Sequence, residues 1–566
     1  MCTATRRKMK AEQLNFSTAH QRLLTKAQEK ALPPILDPFL DEKNESAARP
    51  RRLPTQKMAP APWDSVSARD TCFVLVTGAN SGIGLGICQR LIDEFLATRS
   101  LTSHLVVIPT TRSTRKSAET AALLRKHLHR AASRSKQLQA RGGTPEGAAA
   151  RVHIASLQLD LCDFATVRRA ADCLVEGALA LEGHKGEFAI PRLDAVVFNA
   201  GIGGWTGVNW LKAAHNLLTA GWVQATTWPT FKAADPGLTV NPLPSTPGSG
   251  KGGNDATTTM GQVFCANVFG HYLFAHAILP LLTRPRRQKQ DGVDGVDDND
   301  LPPGRIIWES SLEAAHGHFT PDDFQGVRTR AAYESTKRLT DLLCLTADLP
   351  SVRPHVQSYW RPPRSSPSSN LASTTTSRSN ADEEVQEPRV YLCHPGIVVT
   401  TIMPLPLLLF YAYKFAMYVT RWAGSPWHTN TSYTAAASMV WLALAAQEAL
   451  DARRAQSAKW GSASDFWGNS LVKKTEVDGW GWTGKVEGLD DEDEGEDVVL
   501  GDQEGCRAAT GLLRKIKGRR AGAELVTEEK RAEFEEMGAH CWQEMERLRG
   551  EWEERIEGAG LNGHAA

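Results

Sequence analysis

Short apolar runs alternate with segments of helical periodicity between about residues 70 and 450. The runs fall at 72–77, 105–108, 157–159, 195–198, 305–308 and 390–392. Continuous apolar runs separated by helices are typical of a parallel sheet that is covered on both faces. The pattern therefore predicts an α/β fold with a doubly wound parallel sheet of the Rossmann type, carried by one domain.

Polar, low-complexity stretches interrupt or flank this pattern, and they hold too few apolar residues to offset the entropy of ordering. We predict a disordered N-terminal extension at 1–62, a folded domain at 63–450 and a helical C-terminal extension at 451–566. Within these we predict loop insertions near 241–257, 284–304 and 350–388, an acidic loop at 490–497 and an amphipathic helix near 528–556. That helix has an apolar seam at steps of three and four residues, which we expect to dock on the core.

The composition narrows the class of protein. The chain has 566 residues, a formal net charge of +1, 41% hydrophobic residues and 23% charged residues. These values are typical of a soluble globular protein and exclude a polytopic membrane protein. Without a basic excess, nucleic-acid binding is not expected. The ten cysteines occur singly, with no Cys-x-x-Cys pair, which indicates reduced thiols and no metal site.

A glycine-rich turn follows the first apolar run. It reads Thr-Gly-Ala-Asn-Ser-Gly-Ile-Gly at 77–84, and a helical pattern comes directly after it. Glycines allow the backbone to approach a pyrophosphate, which then lies at the positive N-terminus of the helix. Any strand-to-helix turn can use glycine, but this context predicts a dinucleotide site whose contacts are Gly78, Asn80, Gly82, Ile83 and Gly84.

Arg112, at the end of the second run, indicates which dinucleotide is bound. An NAD site would place Asp or Glu near this position to accept from the ribose 2′-hydroxyl, whereas here Arg115 and Lys116 add further positive charge. Arginine pairs well with a 2′-phosphate, so NADPH is the predicted cofactor. The alternative is a solvated helix start with ordinary basic residues.

Tyr333 and Lys337 are four residues apart, so a helix places them on one face. A phenol has an ordinary pKa of about 10, and a neighbouring ammonium favours its ionised form. The pair therefore predicts general acid–base catalysis with a lowered tyrosine pKa. It follows the 305–308 run and the Ser310-Ser311 pair, which strengthens the interpretation.

The G-x-x-x-G-x-G spacing and the Tyr-x-x-x-Lys pair, in this order along the chain, resemble the short-chain dehydrogenase/reductase family. The resemblance implies that NADPH transfers a hydride to a ketone while Tyr333 protonates the oxygen and Lys337 holds the nicotinamide ribose. It assigns polarisation of the ketone to Ser311, with Ser310 as the alternative. It also implies that Asn267 supports a water relay, although a helix Asn can simply satisfy a local carbonyl. Further cofactor contacts implied by the resemblance are Asp160, Asn199, Val398 and Thr400.

The 67 residues between Asn199 and Asn267 exceed an ordinary connection between a strand and a helix. This insert is rich in aromatic residues, namely Trp205, Trp210, Trp222, Trp228 and Phe231. Two interpretations stay open: a lid over a large apolar substrate, or the packing of an extra helix.

Several segments resemble, more narrowly, the fungal 3-keto-sterol reductases of ergosterol biosynthesis. They lie at 228–232, 261–271, 309–313, 322–325 and 333–342. The resemblance implies NADPH-dependent reduction of the 3-keto group of C-4-demethylation sterol intermediates to the 3β-hydroxyl. The alternatives are a reductase of another bulky steroid-like or secondary-metabolite ketone, or a mainly non-catalytic partner that stabilises the oxidosqualene cyclase.

A sterol substrate implies contact with a membrane. Residues 402–419 are apolar except for two prolines and Lys414, and are short for a bilayer span. We interpret them as an interfacial helix or an apolar lid, with a buried core helix as the alternative. The resemblance further implies the endoplasmic reticulum membrane (cytosolic face, peripheral) and lipid droplets. It implies as partners the sterol C-4 demethylation complex (methyl oxidase, decarboxylase and scaffold) and the oxidosqualene cyclase.

Overall fold

A mainly parallel sheet is the centre of the described part of the chain. The computed structural model describes residues 60–184, 186–243, 259–285, 301–361, 385–399, 407–486, 498–499 and 518–559, all within one compact unit, Met58–Ala566. The strands are β1 Thr71–Val76, β2 His104–Thr111, β3 Val152–Ile154, β4 Ala195–Phe198, β5 Arg305–Glu309, β6 Arg389–His394, β7 Lys459–Ser464, β8 Ser470–Thr475 and β9 Val498–Val499. Their order across the sheet is β9-β8-β7-β6-β5-β4-β1-β2-β3, and the pairs from β3 to β7 are parallel.

Residues 1–59, the acidic loop at 490–497 and Thr400 lie outside the described residues, as do the central parts of the three loop insertions. The disorder predicted for the N-terminal extension, and the loops predicted at those positions, therefore stay predictions.

Side chains of β1 alternate between the two faces of the sheet. Phe73 and Leu75 pack into the hydrophobic cluster on one face, while Val74 and Val76 pack into the cluster on the other. All four side chains are fully buried, because helices cover both faces. This arrangement confirms the doubly wound architecture that the apolar runs predict.

Helices cover the sheet and form the insert and the C-terminal region. They are α1 Gly82–Thr98, α2 Thr114–Arg134, α3 Phe164–Val175, α4 Trp210–Thr219, α5 Trp222–Thr227, α6 (Gln262–Phe264, a π-helical turn Cys265–Phe269, and Gly270–Ala277), α7 Ala332–Thr346, α8 Leu407–Trp422, α9 Ala437–Leu444 and α10 Glu528–Gly558. Shorter helices are Lys136–Ala140, Pro145–Ala150, Leu279–Leu282, Arg353–Val356, Ser432–Ala435 and Gln447–Ala452. Short strand pairs join Leu179–Ala180 with Glu187–Phe188, Trp205–Val208 with Lys232–Ala234, Thr239–Val240 with Met260–Gly261, and Arg284–Pro285 with Val385–Gln386.

The sheet continues beyond residue 450. Strand β7 pairs in parallel with β6, with Lys459 opposite Leu392, and β8 then pairs with β7 in antiparallel orientation. Three strands from the predicted C-terminal extension, β7, β8 and β9, therefore belong to the same sheet as β1.

Helix α10 docks its apolar seam on the core, as expected. Phe534, Cys541, Met545, Leu548 and Trp552 are buried in the cluster on one face of the sheet. The Trp552 ring meets Phe164 of α3 edge-on at 5.1 Å between centroids. The helix thus covers the sheet face on which α3 lies.

Helix α8 exposes much of its apolar surface. Leu408 is 82% exposed and Phe415 65% exposed, while Met417 is buried. It is therefore not a buried core helix. Among the helices that the structure describes, none has both the length and the apolar content needed to cross a membrane.

Candidate active site

Tyr333, Lys337 and Ser311 meet where β5 ends and α7 begins. Tyr333 is the second residue of α7, and Ser311 lies two residues beyond β5 and hydrogen-bonds Tyr333. Lys337 Nζ lies 5.6 Å from the centre of the Tyr333 ring and donates a 2.6 Å hydrogen bond to the carbonyl oxygen of Glu309. The structure thus brings the three predicted catalytic side chains together.

Ser310 and Ser311 have different surroundings. Ser310 is 1% exposed, and its hydroxyl donates to Asp341 Oδ1 at 2.5 Å. Lys459 Nζ donates to Asp341 Oδ2 at 2.7 Å and to the Ser311 carbonyl at 2.6 Å. Ser310 therefore faces a buried ion pair, whereas Ser311 faces Tyr333, and the same ion pair holds the Ser311 backbone.

The pKa of Tyr333 is raised above its ordinary value, not lowered as the Tyr–Lys spacing predicts. Burial is the largest cause and the carboxylate of Glu313 the next, while the hydrogen bond with Ser311 acts in the opposite direction. The ammonium of Lys337 is buried and bound to a carbonyl, and burial also lowers its pKa. Tyr333 therefore keeps its proton at neutral pH, which is the state required of a proton donor.

Asn267 lies within the π-helical turn of α6 and is 3% exposed. Its Oδ1 accepts from the backbone of Ile202 at 2.8 Å, and its Nδ2 donates to the Ile202 carbonyl at 3.1 Å and to Thr336 Oγ1 at 3.2 Å. A π turn in a helix is frequent at functional sites. Asn267 thus joins the turn after β4 to the helix that carries Tyr333, and it satisfies local backbone groups in doing so.

The glycine turn has the backbone that a dinucleotide needs. Gly78 and Gly82 have φ values of +67° and +56°. A Cβ on Gly84 would lie 2.5 Å from the Gly78 carbonyl oxygen, whereas a Cβ on Gly82 would meet nothing within 4 Å. Open space beside a backbone turn at the N-terminus of α1 fits a pyrophosphate. Asn80 and Ile83, the other predicted contacts, lie in the same turn.

Asn199 connects this turn to β4. Its side-chain amide donates to the Thr77 carbonyl at 2.7 Å, and its backbone N–H donates to Thr77 Oγ1 at 3.0 Å. Strands β1 and β4 are neighbours, so their carboxyl ends meet at one edge of the sheet. Asn199 therefore lies beside the predicted cofactor turn.

Arg112 and Asp160 each follow one of two paired strands. The short strand Leu157–Gln158 pairs with β2, with Gln158 opposite Thr111. Arg112 is exposed, and Asp160 accepts from the backbone of Cys162 at 3.0 Å through Oδ1. The exposed guanidinium is free to meet solvent at the position where the adenosine half of a dinucleotide is expected.

The turn after β6 contains Val398 and His394. Val398 forms a parallel bridge with Asn430, and His394 is buried and accepts from the Gly396 backbone through Nδ1 at 3.1 Å. His394 therefore caps the strand end. The residues that the structure describes contain no group of three or more His, Cys, Asp or Glu that could hold a metal ion.

Of the aromatic residues in the insert, Trp205 contacts Tyr333. Its ring centroid lies 4.8 Å from that of Tyr333 at an interplanar angle of 60°. Trp210 and Trp222 are 59% and 42% exposed, and Trp228 packs against the small cluster around Trp427. The insert thus contributes one aromatic wall to the site and also forms two surface helices, α4 and α5.

Sequence reasoning missed the buried charges around the site, which are Glu309, Glu313, Asp341, Lys232 and Lys459. Asp341 alone had a local signal, because it lies four residues after Lys337 on α7. The two lysines come from distant parts of the chain and only folding brings them to the site.

No protein-family model matches the chain. The 3-keto-steroid reductase ERG27 of Gibberella zeae is 47% identical over 508 residues, which covers 88% of this chain and 97% of that protein. The 3-keto-steroid reductase erg27 of Aspergillus fumigatus is 40% identical over 495 residues, which covers 86% of this chain and 95% of that protein.

A crystal structure of a 3-ketoacyl-ACP reductase from Sinorhizobium meliloti aligns at 16% identity with a TM-score of 0.30, covering 68% of this chain and 94% of that one. The two fungal relatives align over most of both chains, and on that ground the chain belongs to the 3-keto-steroid reductase family.

Proposed function

We propose that the protein reduces the 3-keto group of a sterol to the 3β-hydroxyl with NADPH. The observation that carries the proposal is the meeting of Tyr333, Ser311 and Lys337 at the carboxyl edge of the sheet, beside the turn that fits a dinucleotide. Membership of the 3-keto-steroid reductase family supports the choice of a steroid ketone.

The mechanism follows from the protonation states of the site. A nicotinamide cofactor, which the glycine turn at 77–84 would hold, would supply the hydride that reduces the carbonyl carbon. Tyr333 keeps its proton because it is buried beside carboxylates, so it can donate that proton to the ketone oxygen. Ser311, already hydrogen-bonded to Tyr333, orients the same oxygen. Lys337 and Asn267 hold the start of α7, through the Glu309 carbonyl and Thr336 respectively.

Arg112 supports NADPH as the form of the cofactor. It is an exposed guanidinium directly after β2, where an NAD site would place Asp or Glu to bind the ribose 2′-hydroxyl. Bidentate pairing with a 2′-phosphate follows from this chemistry. Arg112→Ala is expected to raise the KM for NADPH by about tenfold or more and to leave the KM for NADH unchanged, since one such pair contributes about 1.5–3 kcal/mol.

An exposed apolar face supports attachment to a membrane. We define the α8 surface by its exposed apolar residues, Leu407, Leu408, Leu409, Tyr411 and Phe415. On the same helix, burial and, next to it, the charge of Glu313 raise the pKa of Tyr413 to about 12. A helix with one face at the site and another in lipid would give a membrane-dissolved ketone a short path.

The cellular setting follows from the substrate. We propose peripheral attachment to the cytosolic face of the endoplasmic reticulum membrane and to lipid droplets. There the enzymes of sterol C-4 demethylation (methyl oxidase, decarboxylase and their scaffold) would supply the ketone, and the oxidosqualene cyclase would be a neighbouring partner. The α8 surface is the feature that supports this setting.

The direct test is turnover of a 3-keto sterol in detergent micelles, which is measured through the oxidation of NADPH. Tyr333→Phe removes the proton donor and is expected to lower kcat by about 10²–10⁴-fold while NADPH binding is retained. Tyr433→Phe, a partly exposed tyrosine that donates to Asp93 on α1, is the control and should keep full activity. Equal activity of wild type and Tyr333→Phe would overturn the proposed mechanism.

A further inference from the structure

Lys232 connects the insert to both catalytic segments. It begins the second strand of the Trp205 strand pair, which is Trp205–Val208 with Lys232–Ala234. Its ammonium forms an ion pair with Glu313 and lies 3.4 Å from Glu334 Oε1. Glu313 is two residues beyond Ser311, and Glu334 directly follows Tyr333. We call the segment from Ser311 to Glu313 the serine loop. One cation from the insert therefore joins the serine loop to the start of α7.

The same ammonium fixes an aromatic ring beside the reacting tyrosine. Lys232 Nζ lies 3.9 Å from the centre of the Trp205 ring, and that ring packs on Tyr333 at 4.8 Å between centroids. The Lys232 side chain is 6% exposed and its two acidic partners are each 11% exposed. Cation–π contacts and ion pairs both strengthen when water is excluded.

The buried acid depends on this lysine. Burial raises the pKa of Glu313 to about 7, and Lys232 acts against that shift. Without the ammonium, two buried carboxyl groups would face each other and Tyr333 with no cation between them. Lys232 thus supplies the positive charge where the Trp205 strand pair, the serine loop and the start of α7 meet.

We propose that Trp205 selects a flat, fused-ring ketone, and that Lys232 is a positioning residue that holds Trp205 beside Tyr333 through Glu313 and Glu334. An indole held against the catalytic phenol offers a rigid apolar face to the ring that carries the ketone. A fused-ring sterol buries much more of its surface on such a face than a small ketone does. This proposal rests on the proposed sterol reductase function.

The test compares two ketones, a 3-keto sterol in detergent micelles and cyclohexanone, on the full-length protein with NADPH. Trp205→Ala is expected to raise KM for the sterol at least tenfold and to change kcat/KM for cyclohexanone less than threefold. Lys232→Met should reproduce this pattern, and Lys232→Arg should restore most of the sterol kcat/KM. The matched controls are Trp467→Ala (81% exposed) and Lys212→Met (exposed on α4), which should behave as wild type.

A second measurement separates positioning from loss of folding. The affinity for the sterol 3-alcohol, measured by calorimetry without turnover, should fall in Trp205→Ala and Lys232→Met, while NADPH binding stays at the wild-type value. Equal losses of kcat/KM with both ketones, or no recovery of the sterol kcat/KM in Lys232→Arg, would overturn this proposal alone. If wild-type protein reduced cyclohexanone but no sterol ketone, the proposed function would fail and this proposal with it.

Discussion

Glu313 links the chemistry of the active site to the stability of the fold. Burial raises the pKa of Glu313 from an ordinary value of 4.5 to about 7. Between these two pH values the folded protein keeps a proton on Glu313, whereas the unfolded chain has released it. An acid whose pKa is raised by folding contributes stability that is fully present below its pKa in the unfolded chain. This stability is lost as the pH rises through its pKa in the folded protein. The fold should therefore lose stability between about pH 4.5 and pH 7 on account of this one group.

Glu313→Gln is expected to reduce this loss of stability with rising pH, because glutamine does not titrate. The midpoint of thermal unfolding of the wild type should fall more between pH 5 and pH 8 than that of the variant, by about 2–4 °C for each kcal/mol of linkage. Glu536→Gln, at an exposed position on α10, is the control, and its unfolding midpoint should change with pH as that of the wild type does. Parallel curves for Glu313→Gln and wild type would show that Glu313 does not titrate in this range.

For single residues, the sequence predicted which side chains meet at the candidate site better than it predicted their surroundings. Tyr333 and Lys337 follow from helical spacing, and Ser311 follows from the resemblance to a known family. The predicted direction of the Tyr333 pKa shift was wrong, because the shift depends on burial and on Glu313, which no local sequence pattern reveals.

Strand β7 is the element through which the C-terminal region reaches the active site. Its first residue, Lys459, is 2% exposed and pairs with Asp341, which is fully buried on α7. Removing one partner of a buried ion pair leaves an uncompensated charge, and this costs more than removing both. The pair therefore supports both the fold and the backbone of Ser311.

Lys459→Met is expected to lower the free energy of unfolding by about 3–5 kcal/mol, because Asp341 keeps its burial and loses its cation. The double variant Asp341→Asn with Lys459→Met should be more stable than Lys459→Met alone. Urea unfolding of the single and double variants measures both quantities. A double variant that loses the sum of the two single losses would contradict a coupled pair.

Elements with long apolar runs were predictable and the others were not. The six predicted runs all fall on or beside strands, whereas β7 reads Lys-Trp-Gly-Ser-Ala-Ser and carries no apolar run. It is buried because it lies between β6 and β8, which is a property of the sheet and not of its own sequence. Strand β3, at the edge of the sheet, was also missed, because it is only three residues long and has His153 at its centre.

For the whole molecule, the α8 surface predicts binding to lipid. Leu408→Asp combined with Phe415→Asp should weaken binding to phospholipid vesicles at least about tenfold, since each such side chain contributes about 1.5–3 kcal/mol when buried. Flotation of the protein with vesicles measures this. Leu123→Asp on α2, where the leucine is 47% exposed, is the control and should float as wild type does. Unchanged flotation of the double variant would show that another surface binds the membrane.

The central claim is that Tyr333 protonates a sterol ketone that receives its hydride from NADPH. It is tested most directly with NADPH that carries deuterium at the transferring position, followed by mass spectrometry of the sterol product. The account predicts a 3β-alcohol with one deuterium on the former carbonyl carbon, formed by wild type and about 10²–10⁴ times more slowly by Tyr333→Phe. An alcohol without deuterium, or equal rates for the two proteins, would contradict it.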